Sequence, residues 1–108
     1  MNFRNVKYIR NYDGDTITVD IPWVHEFLGK AIPIRVRGID AEEIKTKSEK
    51  SKQAKQFVQE WLEVAKQIDL INVERGKYFR IVADVIVDGM SLAEELVRLG
   101  LAIRKDYK

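Results

Sequence analysis

At 108 residues the chain has room for one hydrophobic core and not for two, so a single domain over 1–108 is expected. With 45% hydrophobic and 33% charged residues it is not composed like a disordered segment, and no apolar stretch is long enough to span a bilayer. It has no cysteine and one histidine, which excludes disulfides and thiolate or His-rich zinc sites and leaves oxygen ligands suited to calcium, magnesium or manganese.

Residues 4–12, with Val6, Tyr8 and Ile9 among basic residues, predict a first strand. Asp13-Gly14 is a turn signal, and Thr16 to Ile21 alternates polar and apolar residues as a half-buried strand does. Residues 22–30 predict a loop or irregular hairpin tip. Its Trp23 and Phe27 suit either a cover for one end of a barrel or a stacking surface for bases, with His25 exposed. Ile32, Ile34, Val36 and Gly38 then fall on one face of a third strand, with Arg35 and Arg37 on the other.

The period changes after residue 46. Ala54, Phe57, Val58, Trp61, Leu62 and Ala65 recur at helical spacing, with Trp61 on the core stripe and a capping box from Thr46 to Glu49 at the entrance. Residues 69–75 and 78–87 return to strand composition around a tight turn at Gly76, and Asp88-Gly89 turns the chain again. Ser91 to Glu94 forms a second capping box, opening a short helix through Leu96, Val97 and Leu99 that Gly100 ends. The order predicts a mainly β, α+β fold: a five-stranded OB barrel with a helix between strands 3 and 4 and a C-terminal helix. A flat open α+β sheet would give a similar string.

Three carboxylates, Asp15, Asp40 and Glu43, fall at chain breaks, where loops can bring oxygens from separate stretches onto one hard cation. Taken singly, each is more often the acid of a plain turn or a solvated loop than a metal ligand. The EF-hand spacing is absent. Arg35 and Arg80 add guanidinium groups suited to the negative charge of a phosphoryl transition state, while Arg37 has no distinguishing feature. The lysines at 45, 47, 50, 52 and 55 suit either polyanion steering or a solubilising helix face, and a net charge of +2 does not choose between them.

Four segments together resemble the staphylococcal nuclease family. They are Tyr12-Asp13-Gly14-Asp15-Thr16-Ile17, Arg35 to Glu43, Lys77-Tyr78-Phe79-Arg80, and Leu96 to Ala102. They occur in the family's order and span nearly the whole chain. The resemblance implies one Ca²⁺ held by Asp15, Asp40, the Ala41 carbonyl and Glu43, with Glu43 also activating or positioning the attacking water. It implies that Arg35 and Arg80 grip the phosphate, and that Lys77, Tyr78 and Tyr107 line the nucleotide site. The implied reaction is hydrolysis of DNA or RNA, single-stranded or locally opened, leaving 3′-phosphate ends.

The chain departs from the family pattern at three points: Glu42 stands where proline is usual, Phe79 where glycine precedes the arginine, and Gly76 where an acid is frequent. None removes a catalytic group. The chief rival reading is an OB module that binds nucleic acid without cutting it, and a third is a protein-interaction domain using the loop from Trp23 to Leu28. A monomer with no membrane association is expected. Met1 to Lys7 lacks the apolar run of a signal peptide, so a cytoplasmic location is expected, although a trimmed secreted form would look the same.

Overall fold

A computed structural model describes residues 1–22, 24, 26–42, 47–75 and 81–105. The elements run β1 (Lys7–Asn11), β2 (Thr16–Asp20), α1 (Glu26–Gly29), β3 (Ile32–Val36), β4 (Ile39–Asp40), α2 (Glu49–Val64), β5 (Ile68–Arg75), β6 (Ile81–Val87), β7 (Met90–Ser91), α3 (Leu92–Arg98) and β8 (Ile103–Arg104). The long strands lie in the order β1-β2-β3-β6-β5. The first three form an antiparallel meander, β3 pairs with β6 in parallel, and β5 pairs with β6 in antiparallel.

The two edges of this sheet are joined by the N-terminal segment. Phe3 and Leu70 exchange both backbone hydrogen bonds at 2.8 Å, Val6 N–H donates to the Ile68 carbonyl at 2.9 Å, and Val73 N–H donates to the Met1 carbonyl at 2.7 Å. Residues 1–6 therefore run along the free edge of β5 and continue into β1, so the sheet curls into the expected OB-like barrel. Asp69 fastens this seam: its carboxylate accepts from Asn5 N–H at 2.8 Å and from Arg4 at 3.2 Å.

Alternation places Ile17, Val19, Ile34, Val36, Leu70, Val85 and Val87 inside, each at most 1% exposed. Helix α2 buries Ala54, Val58 and Leu62 at i, i+4 spacing, and Val58 and Leu62 join the barrel core together with Leu92 and Leu96 of α3. The predicted stripe is narrower than its sequence pattern: Phe57 and Trp61 are only half-buried and pack tilted against each other with ring centroids 5.6 Å apart.

Several local expectations change. The α2 N-cap is Ser48, whose hydroxyl accepts Ser51 N–H at 3.0 Å, so the helix begins at Glu49; Thr46 of the expected capping box lies outside the described residues. The predicted cap at Ser91 is present, accepting Glu94 N–H at 3.2 Å, and Gly100 follows α3 at φ +73°, where glycine carries no side-chain penalty. The loop after β2 contains the single helical turn α1, too short for a periodicity signal. Trp23, His25 and the predicted turn at Gly76 lie outside the described residues, as does the side chain of Phe27.

Candidate active site

The site is built where the turn between β1 and β2 meets the end of β3. Within the turn, Asp15 N–H donates to Asp13 Oδ1 at 3.2 Å. Asn11 Nδ2 lies 3.0 Å from the carbonyls of both Asp13 and Lys55, and the Tyr8 hydroxyl donates to Asn11 Oδ1. The turn is thereby tied to the middle of α2. On its other side the Asp15 carbonyl accepts Val36 N–H at 2.8 Å, which sets the turn beside β3.

Arg35 stands opposite Thr16 in the β2–β3 register and is 9% exposed. Its Nη1 lies 3.1 Å from the Val36 carbonyl and 3.3 Å from Asp15 Oδ2. Its Nη2 lies 2.9 Å from the Ile39 carbonyl and 3.4 Å from Asp40 Oδ1. Asp15 Oδ2 also accepts Ala41 N–H at 2.8 Å. One planar guanidinium thus joins carboxylates from two separate chain breaks, an arrangement suited to its fixed fork of donors.

The face predicted to carry Arg35 and Arg37 together divides in the structure. Arg37 turns away from the acids of the site, pairing with Glu74 at 3.0 Å and Asp84 at 3.2 Å and donating to the Asn72 carbonyl. Its role is to tie β5 and β6 to the end of β3, beside a β5 register shift where Asn72 has φ +53°.

Asp13 is a group that sequence reading passed over as a turn residue. It is 4% exposed, and burial, reinforced by the adjacent Asp15 carboxylate, pushes its carboxyl up to about 7. The turn therefore holds two carboxyl groups in a space that disfavours two negative charges. Lys105 adds a cation on the opposite side, 3.5 Å from Asp40 Oδ2, brought there because β8 pairs with β4. Nothing in the sequence around Lys105 signals that placement.

The Asp15 and Asp40 carboxylates lie on either nitrogen of one guanidinium, and the Ala41 backbone N–H lies against Asp15. This all-oxygen donor set fits a hard divalent ion. Among the described residues no three acidic or histidine side chains gather into a metal-ligand cluster. Glu43, Arg80, Lys77, Tyr78 and Tyr107 lie outside the described residues.

The profile of the family described as staphylococcal nuclease homologue matches residues 33–108. The chain belongs to that family. The matched span contains Arg35, Asp40 and Ala41 and begins after the Asp13–Asp15 turn, so the turn joins the family's segment through the contacts just given. Membership makes the chain a nuclease-like or nucleic-acid-binding domain at the level of the family. None of the curated proteins compared with the chain matches it. No described helix is long and apolar enough to cross a membrane.

Proposed function

We propose that this staphylococcal nuclease homologue is a calcium-dependent phosphodiesterase that hydrolyses DNA or RNA, preferring unpaired strands and leaving 3′-phosphate ends. The observation that carries the reading is the meeting of Asp15, Asp40 and Ala41 around Arg35. Asp15, Asp40, the Ala41 carbonyl and Glu43 would hold one Ca²⁺, which when bound supplies positive charge at the scissile phosphate. Glu43 takes a proton from the attacking water or orients it. The water oxygen bonds to phosphorus as the bond to the 5′-oxygen breaks, and that oxygen takes a proton from solvent to leave as a hydroxyl, with the phosphate on the 3′ side. Arg35 and Arg80 donate to the phosphoryl oxygens as negative charge accumulates there. Lys77, Tyr78 and Tyr107 border the nucleotide. A single domain over 1–108, supported by the apolar cluster among the described residues, completes the proposal, as a monomer acting in the cytoplasm.

The alternative of a module that binds strands without cutting them draws support from Arg35 itself, since its guanidinium is already engaged by two carbonyls and two acids. Cleavage of a fluorescent single-stranded DNA oligonucleotide with Ca²⁺, with Mg²⁺ and with EDTA separates the two. Calcium-dependent cutting that disappears in Arg35→Ala and Glu43→Ala supports the enzyme. Binding without cutting under every metal overturns it.

A further inference from the structure

Tyr12 immediately precedes the Asp13–Asp15 turn, and its aromatic side chain is 58% exposed. Its backbone is fixed, because Tyr12 N–H donates to the Thr16 carbonyl at 3.0 Å. Asn11 just before it and Gly14 two residues after it both meet α2: Asn11 through the Lys55 carbonyl, and Gly14 by close approach to Ala54. The Tyr12 backbone is therefore held on the rim where the turn meets the helix, and its ring is exposed there. Three residues span at most about 11 Å of chain, so this rim lies within one or two nucleotides of Asp15.

The first half of the α2 surface is basic, and Glu60 and Glu63 follow in the second. Lys50 and Lys52 are exposed and Lys55 is half-buried. A shallow depression of about 350 Å³ runs along this face, lined by Lys52, Lys55, Gln56, Gln59 and Glu60. An aromatic platform beside ammonium groups is the chemistry that recognises an unpaired polynucleotide: a base stacks on the ring and the backbone phosphates follow the cations. The Gln56 and Gln59 amides further along the helix are held by Glu60 and Glu63. Duplex bases are already stacked on one another and have no free face to give the ring.

We infer that Tyr12, with Lys52 and Lys55, forms a nucleotide subsite that carries a single strand away from the Asp15–Arg35 centre across the first half of α2. The inference rests on the proposed nucleic-acid reading and assigns that strand its course, with Tyr12 stacking a base and the two lysines following the phosphates. It does not depend on catalysis. Tyr12 and Lys52 are exposed and Lys55 is half-buried, so the fold of each variant is checked by circular dichroism before binding is compared.

The test is fluorescence anisotropy of a fluorescein-labelled single-stranded DNA dodecamer in EDTA, where no cutting occurs, with a labelled duplex alongside. Tyr12→Ser is expected to weaken single-strand binding about ten-fold, as loss of one stacked base does, with Tyr12→Phe close to wild type and the duplex little changed. Lys52→Gln combined with Lys55→Gln is expected to lower the slope of log affinity against log salt by about 1.4, at roughly 0.7 per phosphate contact. Unchanged single-strand affinity in Tyr12→Ser overturns the inference, even if the wild type cuts DNA with calcium. Tyr12-dependent binding by a protein that never cuts keeps the inference and removes the catalytic reading. Equal losses on single strand and duplex also overturn it, because a general change in charge or fold would act on both.

Discussion

A methyl group built on Gly14 would stand 2.8 Å from Ala54 Cβ and 3.1 Å from Ala41 Cβ. The turn that carries Asp15 is thus wedged between α2 and the loop after β4, and the glycine is required by close approach. Both neighbours are short side chains on fixed backbone, so neither can swing aside. Gly14→Ala should destabilise the protein by about 1–3 kcal/mol, in the range of overpacked sites. Urea denaturation measures this directly, and cleavage should fall with it because the turn positions Asp15. A variant as stable as wild type would mean that the turn can lift away from the helix without consequence.

Arg35 separates structural from catalytic roles. Truncation to alanine leaves the buried Asp15 beside Asp40 without the cation that joins them, and breaking such a buried pair costs about 3–5 kcal/mol. If Arg35 also acts on the phosphate, cleavage by the folded fraction should drop about 100-fold or more. Arg35→Lys keeps the charge and loses the fork, so it should recover stability more than rate. Single-turnover assays on samples whose fold is checked by circular dichroism distinguish the two effects.

Arg37→Ala should behave in the opposite way. Its partners are Glu74, Asp84 and the Asn72 carbonyl, away from the acids of the site. A loss of about 1–2 kcal/mol is expected for a half-exposed charge holding a backbone carbonyl. Calcium-dependent cleavage should stay within a few-fold of wild type. A collapse in rate with stability preserved would move Arg37 into the catalytic machinery.

How much of this was legible in the chain differs by element. The β2 and β3 alternation and the Ala54–Val58–Leu62 spacing specify their faces locally, and these elements lie where the sequence put them. Asp15, Arg35, Asp40 and Ala41 were named from motif blocks, and the structure brings all four together. Barrel closure was only implied by strand order, because the Phe3–Leu70 pairing is a contact across 67 positions that leaves no local pattern. Alternation put Arg35 and Arg37 on one face and could not give their partners, so the contacts of Arg37 with Glu74 and Asp84 left no sign in the sequence. The raised carboxyl of Asp13 and the approach of Lys105 to Asp40 arise from tertiary burial, to which periodicity is blind.

Calcium should raise thermal stability if Asp15 and Asp40 hold it. An ion at about 100 times its Kd stabilises the folded state by about 2.7 kcal/mol when it binds that state alone. Differential scanning fluorimetry with and without Ca²⁺ reads this shift with no nucleic acid present. Asp40→Asn should remove most of it while Arg37→Ala keeps it. An identical shift in Asp40→Asn and wild type would place any bound calcium elsewhere.

The barrel seam carries its own pH dependence through Asp69. Burial alone would raise its carboxyl, but hydrogen bonds from Asn5 N–H and Gln67, together with the charge and hydrogen bond of Arg4, hold it below the ordinary carboxylate value. A folded-state value below the unfolded one means that the unfolded chain binds protons first as pH falls. The stabilisation from Asp69 is therefore fully present above the ordinary value of 3.8 and is lost as pH drops through the folded-state value. Asp69→Asn keeps a side-chain oxygen for Asn5 and gives up the charge, so it should lower stability at neutral pH by about 1–3 kcal/mol. The same variant should lose less on acidification. Urea midpoints taken from neutral pH down to about 2 test both, and parallel curves for variant and wild type would show that the seam does not depend on the Asp69 charge.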